Sequence, residues 1–333
     1  MNRSAMARGV RAVLIGLLLL ASTLSVYVTS QLLLRQSTQG EMPNARTYAY
    51  HIALITQNAG SSLWEEVYES AAEEGRRQNA LVERVGESLV EPVSAERAMN
   101  MAIYEDVDAI LLQSEDSEAM SALIEKAAAH GIPVFTLLRD LPSTKRQAFV
   151  GLNDYFLGQA YGMRVRHIAG EDTRRVTVLA SDTSSDAQSR KWFEAGLRNA
   201  LEDYGFEIET LLCRSTMGLH DAETVVQTML TGACPDILIC LETIIASSAY
   251  QVVRERGMLG SVRIIASDMS DTVLEAIARG EIDSTITVDA QQLGRLAVDA
   301  AVCYLTNHLV SYFTEVDTRL MDASSLHGEE AQP

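Results

Sequence analysis

Cysteine and lysine are both scarce in this chain, and each scarcity removes a class of function. Four cysteines in 333 residues cannot form a disulfide scaffold. None stands in a CxxC pair, and Cys234 and Cys240 are separated by five residues across an expected strand. All four read as small buried hydrophobes. Only three lysines occur (Lys126, Lys145, Lys191), and no basic cluster forms in the body. Lys plus Arg total 27 against 45 Asp plus Glu, a formal −18. Residues 1–35 hold four of the arginines (Arg3, Arg8, Arg11, Arg35) and no acid, so the remainder carries 23 bases against 45 acids, a net −22. Such a surface repels phosphate backbones, and no nucleic-acid partner is expected.

Several chemistries lack their motifs as well. The six histidines (51, 130, 167, 220, 308, 327) are scattered, with no HExxH, paired His/Cys spacing or Asp-rich calcium loop, so no metal site is expected. There is no GxGxxG after a strand, no GxxxxGK[ST] and no GxSxG, so nucleotide cofactors and hydrolase elbows are without support and no cofactor is expected. The run SEDSE (114–118) reads as a solvated helix start rather than as paired catalytic carboxylates. With no activated nucleophile in view, the chain is not expected to be an enzyme.

What is present begins with an apolar span. Residues 12–34 (AVLIGLLLLASTLSVYVTSQLLL) carry no charge. As a helix at about 1.5 Å per residue they would reach roughly 34 Å, enough for a bilayer core of about 30 Å. Two readings compete: a cleaved signal peptide ending near Val28-Thr29-Ser30, or an uncleaved transmembrane anchor. The run is longer than a signal core and regains Leu32, Leu33 and Leu34 after the candidate cleavage site, which favours the anchor. The arginines before it and the acidic body after it leave residues 1–11 cytoplasmic and export the body on either reading. Residues 35–47 read as a polar linker containing Gly40 and Pro43.

From Tyr48 onward, apolar runs of five to seven residues alternate with longer amphipathic stretches. Strands are expected at 51–57, 81–85, 107–113, 133–138, 148–152, 176–181, 206–213, 236–242, 262–268 and 284–289. Helices lie between them, notably 63–78, 95–104, 117–130, 155–168 and 187–204. This alternation predicts βαβ units with parallel sheets covered on both faces, in two domains. The order of features repeats: HIALIT leads through a polar loop to Trp64, and VTVLA leads through another to Trp192. Each tryptophan thus follows the carboxyl end of a strand, where open α/β sheets bind ligands. Core packing is the alternative for both.

Over about residues 48–322 the chain resembles the sugar-type periplasmic binding proteins (type I solute-binding proteins). The resemblance is carried by IALITQNAGSSLWEEVYESAAEEG, VDAILLQSEDSEAM, HGIPVFTLLRD, FVGLNDYFLGQ, RKWFEAGLRNAL, PDILICLE and RIIASDMSDTVLEAIARGEIDSTITVD. It implies an α/β fold of two doubly wound parallel-sheet lobes joined by a three-strand hinge, with crossovers near 152–154, 289–292 and 309–313. Lobe one would be 48–152 plus 291–308, and lobe two 153–290 plus 309–323, followed by a disordered tail at 324–333.

The resemblance also implies a cleft for a small polar ligand. Its first wall would be Asn58, Ser61, Ser62 and Trp64, with Gln113 at the end of the third strand. Arg139 stands where the family has the arginine of an Asp-Arg pair, but Leu138 replaces the aspartate and Asp140 lies on the other side. Asn153 and Asp154 match a hinge-side segment. The second lobe would add Arg190 (or Lys191, since the register is ambiguous by one), Trp192, Glu242, Asp268 and Asp289, the last next to Val288, which replaces a frequent glutamine. Asp268 is the clearest carry-over, with a helix N-cap as its alternative, and Glu242 could likewise serve only a helix start. The partners implied are a carbohydrate or related polar metabolite and an ABC importer's permease. A membrane histidine kinase, for a sensor rather than an importer, is the other possibility.

Overall fold

The computed structural model describes residues 48–57, 61–86, 93–114, 116–182, 187–214 and 218–329. The expected anchor 12–34, the linker 35–47 and Asn58 lie outside the described residues. Among the described residues no helix is long and apolar enough to cross a membrane.

The first sheet is laid down by β1 (Tyr50–Ile55), α1 (Ser62–Arg77), β2 (Ala80–Arg84), α2 (Ala95–Tyr104), β3 (Ala109–Leu112), α3 (Glu118–Ala129), β4 (Val134–Leu137) and β5 (Ala148–Gly151). The second comes from α4 (Asp154–Ile168), β6 (Arg175–Ser181), α5 (Ala187–Leu201), β7 (Glu207–Cys213), α6 (Gly218–Thr231), β8 (Ile237–Cys240), α7 (Thr243–Glu255), β9 (Arg263–Ala266), α8 (Asp271–Ala278) and β10 (Ser284–Val288). The chain then returns through α9 (Ala290–Asn307) and β11 (Phe313–Glu315) before ending in β12 (Thr318–Asp322) and α10 (Ala323–Glu329).

Strands such as AILL, VFTL and ILIC are buried at every position, which requires helices on both faces of each sheet. Lobe one satisfies this with Val67 of α1 and Leu293, Ala297 and Val298 of α9 on one side. Met99 of α2 and Met120 and Ile124 of α3 cover the other. Lobe two is built likewise, with Tyr161, Val165, Phe193 and Leu197 on one face and Val226, Ile245, Val253 and Ile277 on the other. Strand orders are β11-β5-β4-β3-β1-β2 and β12-β10-β9-β8-β6-β7. Among the described residues every strand pairing is parallel except β10 with β12.

That exception follows from the third passage between the lobes. It was expected near 309–313 but falls at 316–317, because Phe313–Glu315 first pairs with β5 in the first sheet. A strand that runs toward the other lobe and continues without turning must enter the second sheet running away from it, hence antiparallel. The other passages lie after β5 and after β10. The three are bonded together: Asp289 N donates to Asp317 O at 2.9 Å, and Val316 N to Gly151 O at 2.9 Å.

Two other expectations change. Residues 324–329, expected within a disordered tail, belong to α10. Asp322 Oδ1 anchors its start by accepting from Ser324 N (3.0 Å) and Ser325 N (3.2 Å). These bonds, led by that of the Ser324 hydroxyl, hold its carboxyl below the ordinary aspartate range. Among the cysteines, Cys213 and Cys240 are buried and Cys234 is half-buried, but Cys303 is exposed. It stands on the outer side of α9, whose inward positions include Leu293, Ala297 and Ala301.

Each lobe brings a helix pair into near-contact at glycine. A Cβ on Gly294 would lie 2.3 Å from Val67 O, and one on Gly196 would lie 1.9 Å from Tyr155 O. Backbone cannot yield as a flexible side chain can. Gly196→Ala is therefore expected to cost about 1–3 kcal/mol of stability by forcing α4 and α5 apart. Chemical denaturation should show this against Gly232→Ala, where the nearest heavy atom to the new Cβ is 3.6 Å away.

Candidate functional site

Helices α1, α7 and α8 all begin where strands of the two sheets end, and their starts surround a cavity of about 1010 Å³. Lobe one lines it with Ser61, Ser62, Trp64 and Glu65, and lobe two with Thr243, Ser267, Asp268, Ser270, Asp271 and Thr287. A smaller groove of about 510 Å³ runs along α1 by Glu66, Glu69, Glu73 and Gln291.

The turn between β9 and α8 carries the decisive feature. Both carboxylate oxygens of Asp268 are buried without a hydrogen-bond partner among the described residues, and so is the hydroxyl of Ser270. The Asp268 main chain is fixed, its carbonyl accepting from Thr285 Oγ1 at 2.8 Å. Helix α8 starts at Asp271 with Ser270 at its N-cap, so Asp268 is not the cap residue, and the Ser270 side chain makes no capping bond. An unpaired ionised carboxylate kept from water costs several kcal/mol. A cavity-lining carboxylate in that condition is poised for donors that arrive with a ligand.

Tyr161 braces this end of the second sheet. Its hydroxyl donates to Ala266 O (3.0 Å) and lies 3.3 Å from Ile286 O. Burial pushes its ionisation far above the ordinary tyrosine value, so it remains a donor. Burial likewise raises the Cys213 thiol to about 11 and the Cys240 thiol further. Both therefore stay protonated and unreactive at neutral pH.

The residues expected at the site separate into two groups. Ser61, Ser62, Trp64 and Asp268 meet at the cavity. Ser61 also caps α1, its Oγ accepting from Trp64 N at 3.4 Å. Trp64 is only 5% exposed and belongs to the lobe-one core. The other described residues of the expected set are not among those lining this cavity. Gln113 Oε1 accepts from Gln57 N at 3.0 Å. Arg190 Nη1 donates to Ser181 O (2.9 Å) while Glu242 Oε1 accepts from Ser181 N (3.0 Å), so both grip the end of β6. Asn153 Oδ1 accepts from Tyr155 N and Phe156 N as the cap of α4, and Asp154 follows as the helix's first residue. Asp289 caps α9 through Gln292 N at 2.9 Å. Trp192 is 54% exposed on α5.

Arg139 follows Leu138, which has φ 60°. Its neighbour Asp140 does not stand in for the missing aspartate: it forms a two-point pair with Arg146, with Oδ2 2.7 Å from Nη2. The Arg146 guanidinium in turn lies 4.0 Å from the Tyr312 ring centroid. Sequence reading did not single out Ser267, Ser270, Thr243, Thr287 or Glu65. The repeated Ser and Asp of ASDMSD, directly after an apolar strand, was the available signal for the first two.

A two-lobed α/β architecture with parallel sheets, three linked passages and a cavity at the strand ends lined by hydroxyl, carboxylate and apolar side chains defines the fold of a hinged binding protein. The chain belongs to the periplasmic binding protein domain family, which matches residues 52–308. It is 26% identical over 203 residues to a candidate rhizopine-binding protein of Rhizobium meliloti, covering 59% of this chain and 65% of that one. It is 26% identical over 204 residues to the ribose import binding protein RbsB of Bacillus subtilis, covering 60% and 63%. The alignments thus span just under two thirds of these relatives. Among solved structures, GanP, a glucose-galactose binding protein from Geobacillus stearothermophilus, superposes with a TM-score of 0.67 at 20% identity, covering 84% of this chain and 99% of that one.

Because the Trp64 ring is packed into the core, its loss is expected to damage the fold and not merely the site. Trp64→Ala should lower unfolding free energy by about 3–5 kcal/mol in ligand-free protein, measured by denaturant titration. A change below 1 kcal/mol would mean the ring is held by the cavity alone.

Proposed function

We propose that this chain is an extracytoplasmic solute-binding protein, not an enzyme. It captures a small polyhydroxylated ligand, a carbohydrate or close relative, between its lobes and presents the closed form to an ABC importer. The observation that carries this reading is the buried, partnerless carboxylate of Asp268 at a cavity shared by both lobes. Six hydroxyl-bearing residues line the same space (Ser61, Ser62, Thr243, Ser267, Ser270, Thr287), as suits a ligand rich in hydroxyl groups. Family membership supports it too. Closure would bend the three passages while leaving each sheet intact.

The span 12–34 is proposed as the tether that holds the body at the membrane, outside the cytoplasm. A tethered binding protein meets its membrane partner at high effective concentration. This arrangement serves a permease or a histidine kinase equally. Deletion separates the two by loss of uptake or loss of a transcriptional response.

The binding reading is tested by thermal shift on the full chain with a sugar and polyol panel. A ligand at 100 times its Kd should add about 2.7 kcal/mol of stability. Asp268→Ala should weaken binding by about 1–3 kcal/mol without lowering the ligand-free melt, since it removes a buried unpaired charge, and unaltered affinity would remove Asp268 from the site. Cell fractionation tests the tether. The full-length chain should stay with membranes after a high-salt wash, and a mature N-terminus near Gln31 would defeat it.

A further inference from the structure

Every charged residue lining the cavity, among those described, is an acid: Glu65, Asp268 and Asp271. Neither Arg139 nor Arg190 lines it, and Arg190 is engaged with the Ser181 carbonyl. Glu65 has a partner in Arg84 at 2.6 Å. Asp268 has none, and neither has the adjacent Ser270 hydroxyl. The starts of α1, α7 and α8 contribute about half a positive charge each. Against two of them the first-turn acids Glu65 and Asp271 already sit.

A ligand hydroxyl can fill a lone pair of Asp268, but it leaves the charge uncompensated once closure expels water. An ammonium group supplies up to three donors and cancels the charge at the same time. An acidic sugar would add a second negative charge where no lining cation receives it. Resting on the binding-protein reading above, we propose that this cleft selects a polyhydroxylated ligand bearing an amino group. Its ammonium would be held by Asp268 with Ser270 beside it, and sugar acids would be excluded.

The test uses the purified full chain and matched probes: glucose, glucosamine, N-acetylglucosamine and glucuronate, with the corresponding galactose set. Affinities are read by thermal shift and by tryptophan fluorescence at low and high salt. In at least one set the amine should bind about tenfold or more tighter than its neutral parent. That advantage should shrink as salt screens the pair and vanish on N-acetylation, and glucuronate and galacturonate should not bind. Asp268→Asn, nearly isosteric, should abolish the preference for the amine and should not lower the ligand-free melt, because it removes a buried unpaired charge. A neutral sugar that binds as tightly as its amine, or a bound uronate, overturns this inference while leaving the sugar-binding reading standing. An amine preference that survives in Asp268→Asn overturns the assignment to Asp268. Binding of none of the eight probes overturns both the inference and the carbohydrate reading it rests on.

Discussion

The constraint from which the rest follows is that each sheet is buried on both faces. Ile110, Leu111 and Leu112 of β3 and Ile237, Leu238 and Ile239 of β8 have at most 1% exposure. Helices must therefore lie above and below, and no sheet face remains for a ligand. Only strand ends are left open. Parallel pairing gathers the carboxyl ends on one side of each sheet, where helix starts supply side chains and backbone N–H groups. A site in such a chain forms where two sets of strand ends meet, and the cavity between Ser61–Glu65 and 267–271 is that meeting place.

The passages between the lobes are consistent with motion confined to a few residues. Asp289, Val316 and Asp317 are tied to one another and to Gly151 by backbone bonds, and Gln292 reinforces them by donating to Asp317 Oδ2 at 2.8 Å. Each passage is only a few residues long, so bending there leaves the sheet registers on either side untouched. Asn153 and Asp289 stand where two passages become helices, and both side chains accept backbone N–H groups there. Both therefore have a structural role as helix caps whatever they do for a ligand. Arg319 of the second lobe reaches Glu66 of the first at 3.3 Å, beside the same passages. The pair is half-buried, and its length limits how far the lobes part while it remains formed.

Much of the fold was legible because fully buried strands announce themselves as short apolar runs between amphipathic stretches. The central strands and helices fall within a few residues of expectation. What was not legible has a physical reason in each case. FTE and TRLMD are sheet-edge strands with few buried positions, so they carry no apolar run, and the third passage was misplaced with them. At the site, sequence identified strand ends but not the direction of each side chain. Arg190 and Glu242 are both close to strand ends, yet they are spent on the two backbone groups of Ser181. Trp64 and Trp192 occupy equivalent places in the pattern, but one ring is in the core and the other largely in solvent. The repeat in sequence did not extend to burial. Ser270 was overlooked because the helix was expected to start at Met269 with Asp268 as its alternative cap, whereas it starts at Asp271 with Ser270 at the N-cap and that hydroxyl unused.

An unused hydroxyl beside an unpaired carboxylate has an energetic meaning beyond marking a site. Burying Asp268 without a partner costs the ligand-free protein free energy that its hydrophobic lobes must offset. A ligand that satisfies those oxygens recovers that cost only where its donors reach them from within the cavity. Donors from the opposite lobe can do so only if the lobes approach, so part of the recovered free energy is available solely to the closed arrangement. A ligand shifts a conformational equilibrium only by its difference in affinity for the two states. Placing the unsatisfied group at the boundary of both lobes, and not deep within one, turns local electrostatic frustration into that difference. On the proposed reading, the residue that selects the ligand's donors would thereby also favour closure around them.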